Sequence, residues 1–501
     1  MNDFILVEKL LDYGLKNELM TIDDVVVVRN ELWRFLRIEC DLDDVVSEPS
    51  DDDIYDLLGA FVDNRKDTLK LEYEIESFQA ELMSKLMPRN SEINQRFWAL
   101  HKESPEKATA YFYELSNRSA YIRMDRVKNN VSWTSIGTFG DLDITINLSK
   151  PEKSPKEIAM MKEAKPSVYP KCLLCVENAG YGGNIKHPAR QNHRLVKMNL
   201  AGEDWYFQYS PYVYYNEHAI VLCKDHRNMK IDKNTFVRLC DFVDLLPHYF
   251  VGSNADLHTV GGSILTHDHY QAGNYEMPMM RAREVSKYNT SRYPMVDISV
   301  LEWPLSVVKL SSSDRESLIE LADNILTSWI EYSDLDYDLI SHTDQRHNTV
   351  TPIMRMKNGA YELYLALRNN RHTLEHPSGL FHPHEEHHHI KRENIGLIEV
   401  MGLAVLPGRL VAETNQLMDM LVASGGYKAG MFDFSPDLIK HDQWVASLGE
   451  AIKDLISDEQ ALSEFFDDEI GKKFELALID SGVFKENYKG VLKFLEEGCL
   501  L

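Results

Sequence analysis

Cysteine is scarce in this chain: six in 501 residues, at positions 40, 172, 175, 223, 240 and 499. A disulfide framework needs a denser set, so this usage points to reduced thiols and a cytoplasmic setting. Long apolar runs are missing as well. No stretch approaches the roughly 20 apolar residues that cross a bilayer. The opening segment MNDFILVEKLLDYGLKNELM breaks its apolar positions with Asp3, Glu8 and Lys9, unlike the uninterrupted core of a secretory signal. Positive charge is in deficit: 54 Lys and Arg stand against 79 Asp and Glu, a net charge of -25. Such a field disfavours non-specific binding to nucleic acid or to an anionic membrane, while leaving local basic residues able to hold a small anion. No short-period repeat and no low-complexity linker is present.

What is there fits a folded protein: 44% hydrophobic and 27% charged residues. The length exceeds one ordinary hydrophobic core, which predicts two domains and a helical extension. Residues 1–130 carry apolar positions at helical spacing, as in VVVVRNELWRFLRI and ESFQAELMSKLMPRNSEINQRFWAL. Asp51 to Asp53 suit the positive end of a following helix. The middle changes character. Segments 142–148, 204–210, 218–223, 258–271 and 360–368 are short, β-branched or aromatic, and bounded by turn residues, which predicts strands. KNTFVRLCDFVDLLPHYF between them predicts a helix, and helical spacing returns from about residue 409 in ETNQLMDMLVAS, WVASLGEAIKDLIS and KKFELALIDSG. Strands interleaved with few helices predict an α+β protein with antiparallel sheet. Clustered histidines following a strand occur twice, near 258–271 and near 361–389, an echo that suggests two related halves.

The most informative stretch is GGSILTHDHYQAG, residues 261–273. On a strand, alternation would put His267, His269 and Gln271 on one face. Two imidazoles and a carboxamide make a poor apolar face and a good reactive one. Neutral imidazole attacks phosphorus and holds the group as a phosphoramidate, dividing one displacement into two easier ones. The Gln271 amide can donate to a phosphate oxygen without adding a titrating group. Gly261 and Gly262 would let backbone N–H groups approach a phosphate, and Ser263 adds a hydroxyl. An exposed polar strand face is the ordinary reading of a lone H-x-H; the trailing Gln271 and the leading Gly-Gly-Ser favour chemistry. Cys172-Leu-Leu-Cys175 has the spacing of two ligands to one zinc ion, and with no second C-x-x-C the remaining ligands must be histidines. Two buried thiols acting as small hydrophobes are the alternative.

H-x-H-x-Q is similar to the signature of the histidine-triad superfamily of nucleotidyl hydrolases and transferases. Together with YPKCLLC, HPARQNHR, FQYSPYVYYNEHAIVL, HYFVGSNADL, FHPHEEHHHIKRENIGLIEVMGLAVLPGRL and GDLDITINLSKPEKSPKEIA, it resembles the class II galactose-1-phosphate uridylyltransferases, most closely over residues 141–410. The resemblance implies two histidine-triad-like antiparallel sheet halves with helices, plus helical N- and C-terminal regions. The expected division is 1–130, 131–250, 251–410 and 411–501. It implies uridylyl transfer from UDP-glucose to galactose 1-phosphate by a ping-pong route, with His269 as nucleophile and Gln271 beside it. It implies a structural zinc held by Cys172, Cys175, His226 and His267, with no organic cofactor. The motif departs from the class I form in having Thr266 before its first histidine and in the greater distance of Ser263 from His267.

Arg190, His193 and Arg194 are candidates for phosphate recognition, since guanidinium pairs with phosphate oxygens through two parallel bonds. By family position Asn254 lies near the α-phosphate, Asn216 and Glu217 near the nucleotide, and Asn394, Gly396 and Glu399 near the hexose. Tyr212, Tyr214 and Tyr215 can stack on uracil or belong to the core. The run FHPHEEHHHI is either a second metal site or a polar loop at the substrate cleft, with His382 and His384 as contacts. A homodimer follows from the family alone. Two other classes compete: a histidine-triad nucleotide phosphorylase or hydrolase, and a cupin-like metal protein using His267, His269 and Glu276.

Overall fold

The computed structural model describes residues 2–39, 51–149, 160–163, 168–288, 290–485 and 488–499. Cys40 and the acidic residues up to Ser50 lie outside them. The longer helices ahead of the first strand are α1 (Asp3–Lys16), α2 (Val25–Leu36), α3 (Ile54–Asp63), α4 (Glu72–Leu86), α5 (Asn90–His101) and α6 (Pro105–Arg118). A hairpin follows, β1 (Val131–Gly137) and β2 (Gly140–Asn147), and then β3 (Val196–Leu200), β4 (Glu203–Tyr209) and β5 (Ala219–Cys223). Next are α7 (Lys233–Leu245), β6 (Phe250–Gly252), β7 (His269–Gly273), β8 (Glu284–Tyr288), β9 (Asp297–Leu301) and β10 (Val307–Ser312). The chain continues through α8 (Arg315–Glu331), β11 (Asn348–Lys357), β12 (Ala360–Asn369), β13 (Leu403–Pro407), α9 (Arg409–Ser424) and α10 (Glu459–Asp480). The α+β class predicted from the sequence is the class observed.

The chain divides into two units. The first holds residues up to Asn129, Ser149–Arg227 and His267–His269; the second holds Asn130–Leu148, Asn228–Thr266 and Tyr270–Leu501. In the first, local chemistry sets the helix ends. Asn2 caps α1 by accepting from the Phe4 N–H, Asp53 caps α3 by accepting from the Tyr55 N–H, and Ser104 with Pro105 starts α6. Met87-Pro88 separates α4 from α5, because the residue before a proline is pushed out of helical geometry. The predicted helical stretch 76–100 is therefore two helices. Strands β3, β4 and β5 pair antiparallel, and the β3–β4 turn at Ala201-Gly202 puts both residues at positive φ. Phe97 and Phe112 from the helices meet Phe207 and Tyr209 of β4 in one buried aromatic cluster.

In the second unit β7, β6, β11, β12, β10, β9 and β8 follow one another side by side, every pair antiparallel. The longest ladder, β11 with β12, turns at Asn358-Gly359, both at positive φ, the dipeptide that a type I′ hairpin demands. Helices α7 and α8 cover it, and the Trp329 Nε1–H of α8 donates to the carbonyl of Thr349 at 2.9 Å. A smaller sheet joins β1 and β2 antiparallel and β13 parallel to β2.

Three further expectations are corrected. The strand predicted over 258–271 is only its last part, His269–Gly273. Upstream the chain folds back: a Cβ on Gly261 would lie 2.3 Å from the Ala255 carbonyl oxygen, and Gly261 bridges Ala255. His267 therefore precedes the strand and does not share a strand face with His269 and Gln271. The helix predicted over 233–250 stops at Leu245, just before Leu246-Pro247. The stretch 444–457 is two short helices, Asp442–Ser447 and Gly449–Leu455, parted at Leu448.

The β1–β2 turn is tied to α10 by a single carboxylate. Glu475, buried, accepts from the N–H groups of Thr138 (2.6 Å) and Phe139 (3.2 Å) and from the Thr138 hydroxyl (3.2 Å). Glu475→Ala should orphan those donors and cost about 1–3 kcal/mol, read as a lower urea midpoint with an unchanged slope. An unaltered midpoint would remove the carboxylate from any role in holding the turn.

Candidate active site

Four side chains of the first unit converge. Cys172 Sγ lies 3.6 Å from Cys175 Sγ and 3.2 Å from His267 Nδ1, and Cys175 Sγ lies 3.2 Å from His226 Nδ1 and 3.7 Å from His267 Nδ1. All four ligand atoms lie within 4.8 Å of one another. A tetrahedral ion with bonds of about 2.0–2.3 Å spaces its ligand atoms about 3.3–3.8 Å apart. The donor set and its spacing fit a metal. The surroundings fit it too. The His267 Nε2–H donates to the Cys223 carbonyl at 2.8 Å, which turns the Nδ1 lone pair toward the thiols. The Leu174 N–H points at Cys172 Sγ (3.4 Å), and the Asn178 amide donates to the carbonyls of both Cys172 and Cys175 at 2.8 Å. Burial pushes the Cys172 thiol up to about 11, so without a cation that thiol stays protonated at pH 7 and a metal must displace its proton.

His269 follows two residues after His267 and opens β7. Its ring is buried, and its Nδ1 lies 2.8 Å from the carbonyl oxygen of His267. A carbonyl oxygen only accepts, so Nδ1 carries the proton and the Nε2 lone pair is left for reaction. Burial pulls its pKa down to about 4, which keeps the ring neutral at pH 7. Gln271 lies two residues further along β7, on the same strand face, half-buried and opposite Gly252.

The remaining candidates fall into two groups. In the first unit Arg190 lies over the ring of Tyr121, its Cζ 5.4 Å from the centroid. Arg194 donates to three carbonyls, those of Pro88, Gln191 and His193, at 3.0, 2.7 and 3.0 Å. Buried His193 stacks on Tyr121 and lies 2.8 Å from the Gln208 amide oxygen. Asn216 is exposed beside Glu217. Tyr212 and Tyr214 stack near-parallel (16°) and Tyr214 stacks on His218, whereas Tyr215 is buried. In the second unit the Asn254 amide oxygen accepts from the Leu397 N–H at 2.9 Å, and its amide nitrogen would lie 2.8 Å from a Cβ on Gly262. The glycines at 261 and 262 are thus required by packing against Ala255 and Asn254. Ser263 is exposed. Asn394 donates to the Gly261 carbonyl (3.4 Å) and its oxygen lies 3.2 Å from His382 Nε2. The Gly396 N–H donates to Glu399, whose other oxygen takes the Lys391 ammonium at 2.8 Å.

The histidine run disperses among several partners. His384 and His387 flank Asp480, the His388 ring donates to the Pro383 carbonyl, and His389 meets His441, which pairs with Glu413. Among the described residues the Cys172, Cys175, His226 and His267 group is where metal-capable side chains converge. Glu276 pairs with Arg355 at 2.9 Å, which leaves the cupin-like reading without its carboxylate. The carbonyl of Cys223 and the amide of Asn178 were not found from the sequence. A backbone acceptor carries no residue signature, and Asn178 looks like any loop asparagine.

Models of the galactose-1-phosphate uridyl transferase N-terminal and C-terminal domains match residues 61–228 and 242–422. Curated proteins named galactose-1-phosphate uridylyltransferase are similar along nearly the whole length. That of Caldanaerobacter subterraneus subsp. tengcongensis is 47% identical, covering 97% of this chain and 96% of its own. That of Fusobacterium nucleatum is 44% identical (98% and 97%), and that of Bacillus subtilis 43% (97% and 95%). Among solved structures, yeast Ap4A phosphorylase Apa2 aligns at 12% identity over 60% of this chain and 90% of that one, with a TM-score of 0.30. The protein is a nucleotidyltransferase. The chain belongs to the galactose-1-phosphate uridylyltransferase family. No helix among the described residues is long and apolar enough to cross a membrane.

Cys172→Ser removes one of the four converging ligands. The variant should carry clearly less metal per chain than the parent by elemental analysis and should unfold at lower temperature. Parent protein purified without chelators and found free of transition metal would overturn the reading of this cluster.

Proposed function

We propose that the enzyme moves a uridylyl group from UDP-glucose to galactose 1-phosphate through a covalent intermediate on His269. The observation that carries this is the 2.8 Å contact between His269 Nδ1 and the His267 carbonyl. It fixes the tautomer whose Nε2 lone pair is nucleophilic. In the first half, Nε2 bonds to the α-phosphorus of UDP-glucose, the bridging P–O bond breaks, and glucose 1-phosphate departs. The leaving group is a phosphate whose second pKa is about 6, so it departs as an anion and needs no proton. In the second half a phosphate oxygen of galactose 1-phosphate attacks the same phosphorus, the N–P bond breaks, and UDP-galactose leaves. One anhydride replaces another, and the phosphoramidate keeps the group reactive between the halves.

Gln271, two residues along the strand, is the donor to the non-bridging oxygens as negative charge grows there. Arg190 and Arg194 shape and charge the loop that receives the phosphates, Arg194 through its three carbonyl bonds. Asn216 serves the nucleotide, Asn254 and Ser263 the α-phosphate, and Asn394, Gly396 and Glu399 the hexose. We assign zinc to Cys172, Cys175, His226 and His267, where it would hold the segment ahead of His269 without touching phosphorus. Segments 131–250 and 251–410 are read as the two catalytic halves, and a cytoplasmic homodimer as the working form, on family grounds.

Mixing the protein with UDP-glucose alone should add the mass of one uridylyl group to the peptide spanning residues 258–281. His269→Ala should abolish that adduct and lower turnover by about 1,000-fold or more while the fold survives. Full turnover in the variant would end the assignment. Steady consumption of UDP-glucose without an acceptor would instead indicate a hydrolase.

A further inference from the structure

Arg368 on β12 is 1% exposed. Its guanidinium donates to the Ile395 carbonyl at 3.0 Å, and its Nε–H is buried with no hydrogen-bond partner. Among the described residues no carboxylate forms an ion pair with it. The carboxylate whose field acts on Arg368 is Glu399, whose Oε1 is held by Lys391 at 2.8 Å. The Lys391 side chain is itself 3% exposed. Glu393, the other acid near Lys391, is 3.9 Å away and 64% exposed, where water screens it. Two buried cations thus share one partly buried carboxylate. A buried charge left this poorly matched is costly, and charged groups so perturbed cluster at functional sites.

The position says which anion. Ile395, the residue Arg368 holds, lies between Asn394 and Gly396. Asn394 reaches the Gly261 carbonyl and His382, and a Cβ on Gly396 would lie 3.2 Å from the Asn254 amide oxygen. The guanidinium therefore sits under the loop to which the proposed function gives the hexose, beside the turn that leads into the His269 strand.

We infer that Arg368 is a positioning residue for the phosphate of the sugar 1-phosphate: it pins the Asn394–Gly396 loop through the Ile395 carbonyl, and its unmatched charge is completed by the incoming phosphate dianion. It does not touch substrate. Its reach is long-range attraction through a poorly solvated loop, where charges are weakly screened. The inference rests on the transferase reading and adds to it a residue outside the motif and its neighbours.

The test compares Arg368→Lys, Arg368→Gln and Arg368→Met in the full chain, by calorimetric titration with galactose 1-phosphate, galactose and uridine 5′-monophosphate. Lysine keeps the charge, glutamine keeps a donor for the Ile395 carbonyl without the charge, and methionine keeps neither. The expected result is a loss of about tenfold or more in galactose 1-phosphate affinity for Gln and Met, the scale of one charge-assisted interaction. Lys should stay within about threefold, and uridine 5′-monophosphate within about twofold in all three. A merely structural arginine would lower both ligands together, or would be replaced by glutamine as well as by lysine. Either pattern overturns the inference, as does parental affinity in Gln or Met. The transferase reading fails separately, if the parent protein neither binds galactose 1-phosphate nor takes up a uridylyl group.

Discussion

One hydrogen bond organises the proposed reactive centre: the Nδ1–H of His269 against the backbone carbonyl of His267, two residues earlier. The bond is local, yet its geometry depends on distant partners. The carbonyl can face the ring only if the His267 backbone is held, and that backbone is held through its side chain. Nε2 of His267 goes to the Cys223 carbonyl and Nδ1 faces two thiols. A chain of three restraints thus links a loop at 172–175 to the protonation state of a ring at 269. Each ring uses one nitrogen for a carbonyl and leaves the other for the role we propose for it, coordination at 267 and attack at 269.

The acidic chain handles its buried charges by matching them, and the exceptions are informative. Arg355 shares Glu362 with Lys309, Asp256 takes Arg346 and a backbone N–H, and Glu8 takes a forked contact from Arg29. These pairs sit in the packed body of the fold. Arg368 departs from the pattern, and Arg194 departs differently, with three carbonyls in place of a carboxylate. Both lie in segments that carry candidate binding residues. Positive charge kept without a paired carboxylate suits a protein of net charge -25 to the anionic substrate we propose for it.

Much of the fold was legible where local physics decides it. Apolar spacing announced many of the helices, and the acidic run ending at Asp53 announced the start of one. Strands β2, β4, β5 and β12 came within a residue or two of their alternating segments. The C-x-x-C pair announced its ligand chemistry, and the family pattern supplied the two histidines that the structure brings to it. Long-range packing was not legible. His267 alternates with His269 in sequence but leaves the strand, because its ring is drawn to Cys223 and the thiols. Gly261 and Gly262 read as a phosphate cradle, yet their lack of Cβ is demanded by Ala255 and Asn254. Five histidines in ten residues suggested a common ligand, but Asp480, Pro383 and His441 each take a share. A buried arginine without a carboxylate has no signature at all in one dimension.

The cysteine–histidine cluster also bears on how the chain reaches this state. Cys172 and His267 are 95 residues apart. An ion gripping both would act as a reversible staple across that span, of the kind for which polymer arguments assign about 4–5 kcal/mol of denatured-chain entropy to a covalent link. Such a staple cannot close during synthesis until the segment around position 267 has left the ribosome, so its last ligand and the imidazole of His269, our proposed nucleophile, emerge almost together. Scarcity of the ion would then show first in yield of mature protein, ahead of any change in the rate of the protein that does mature.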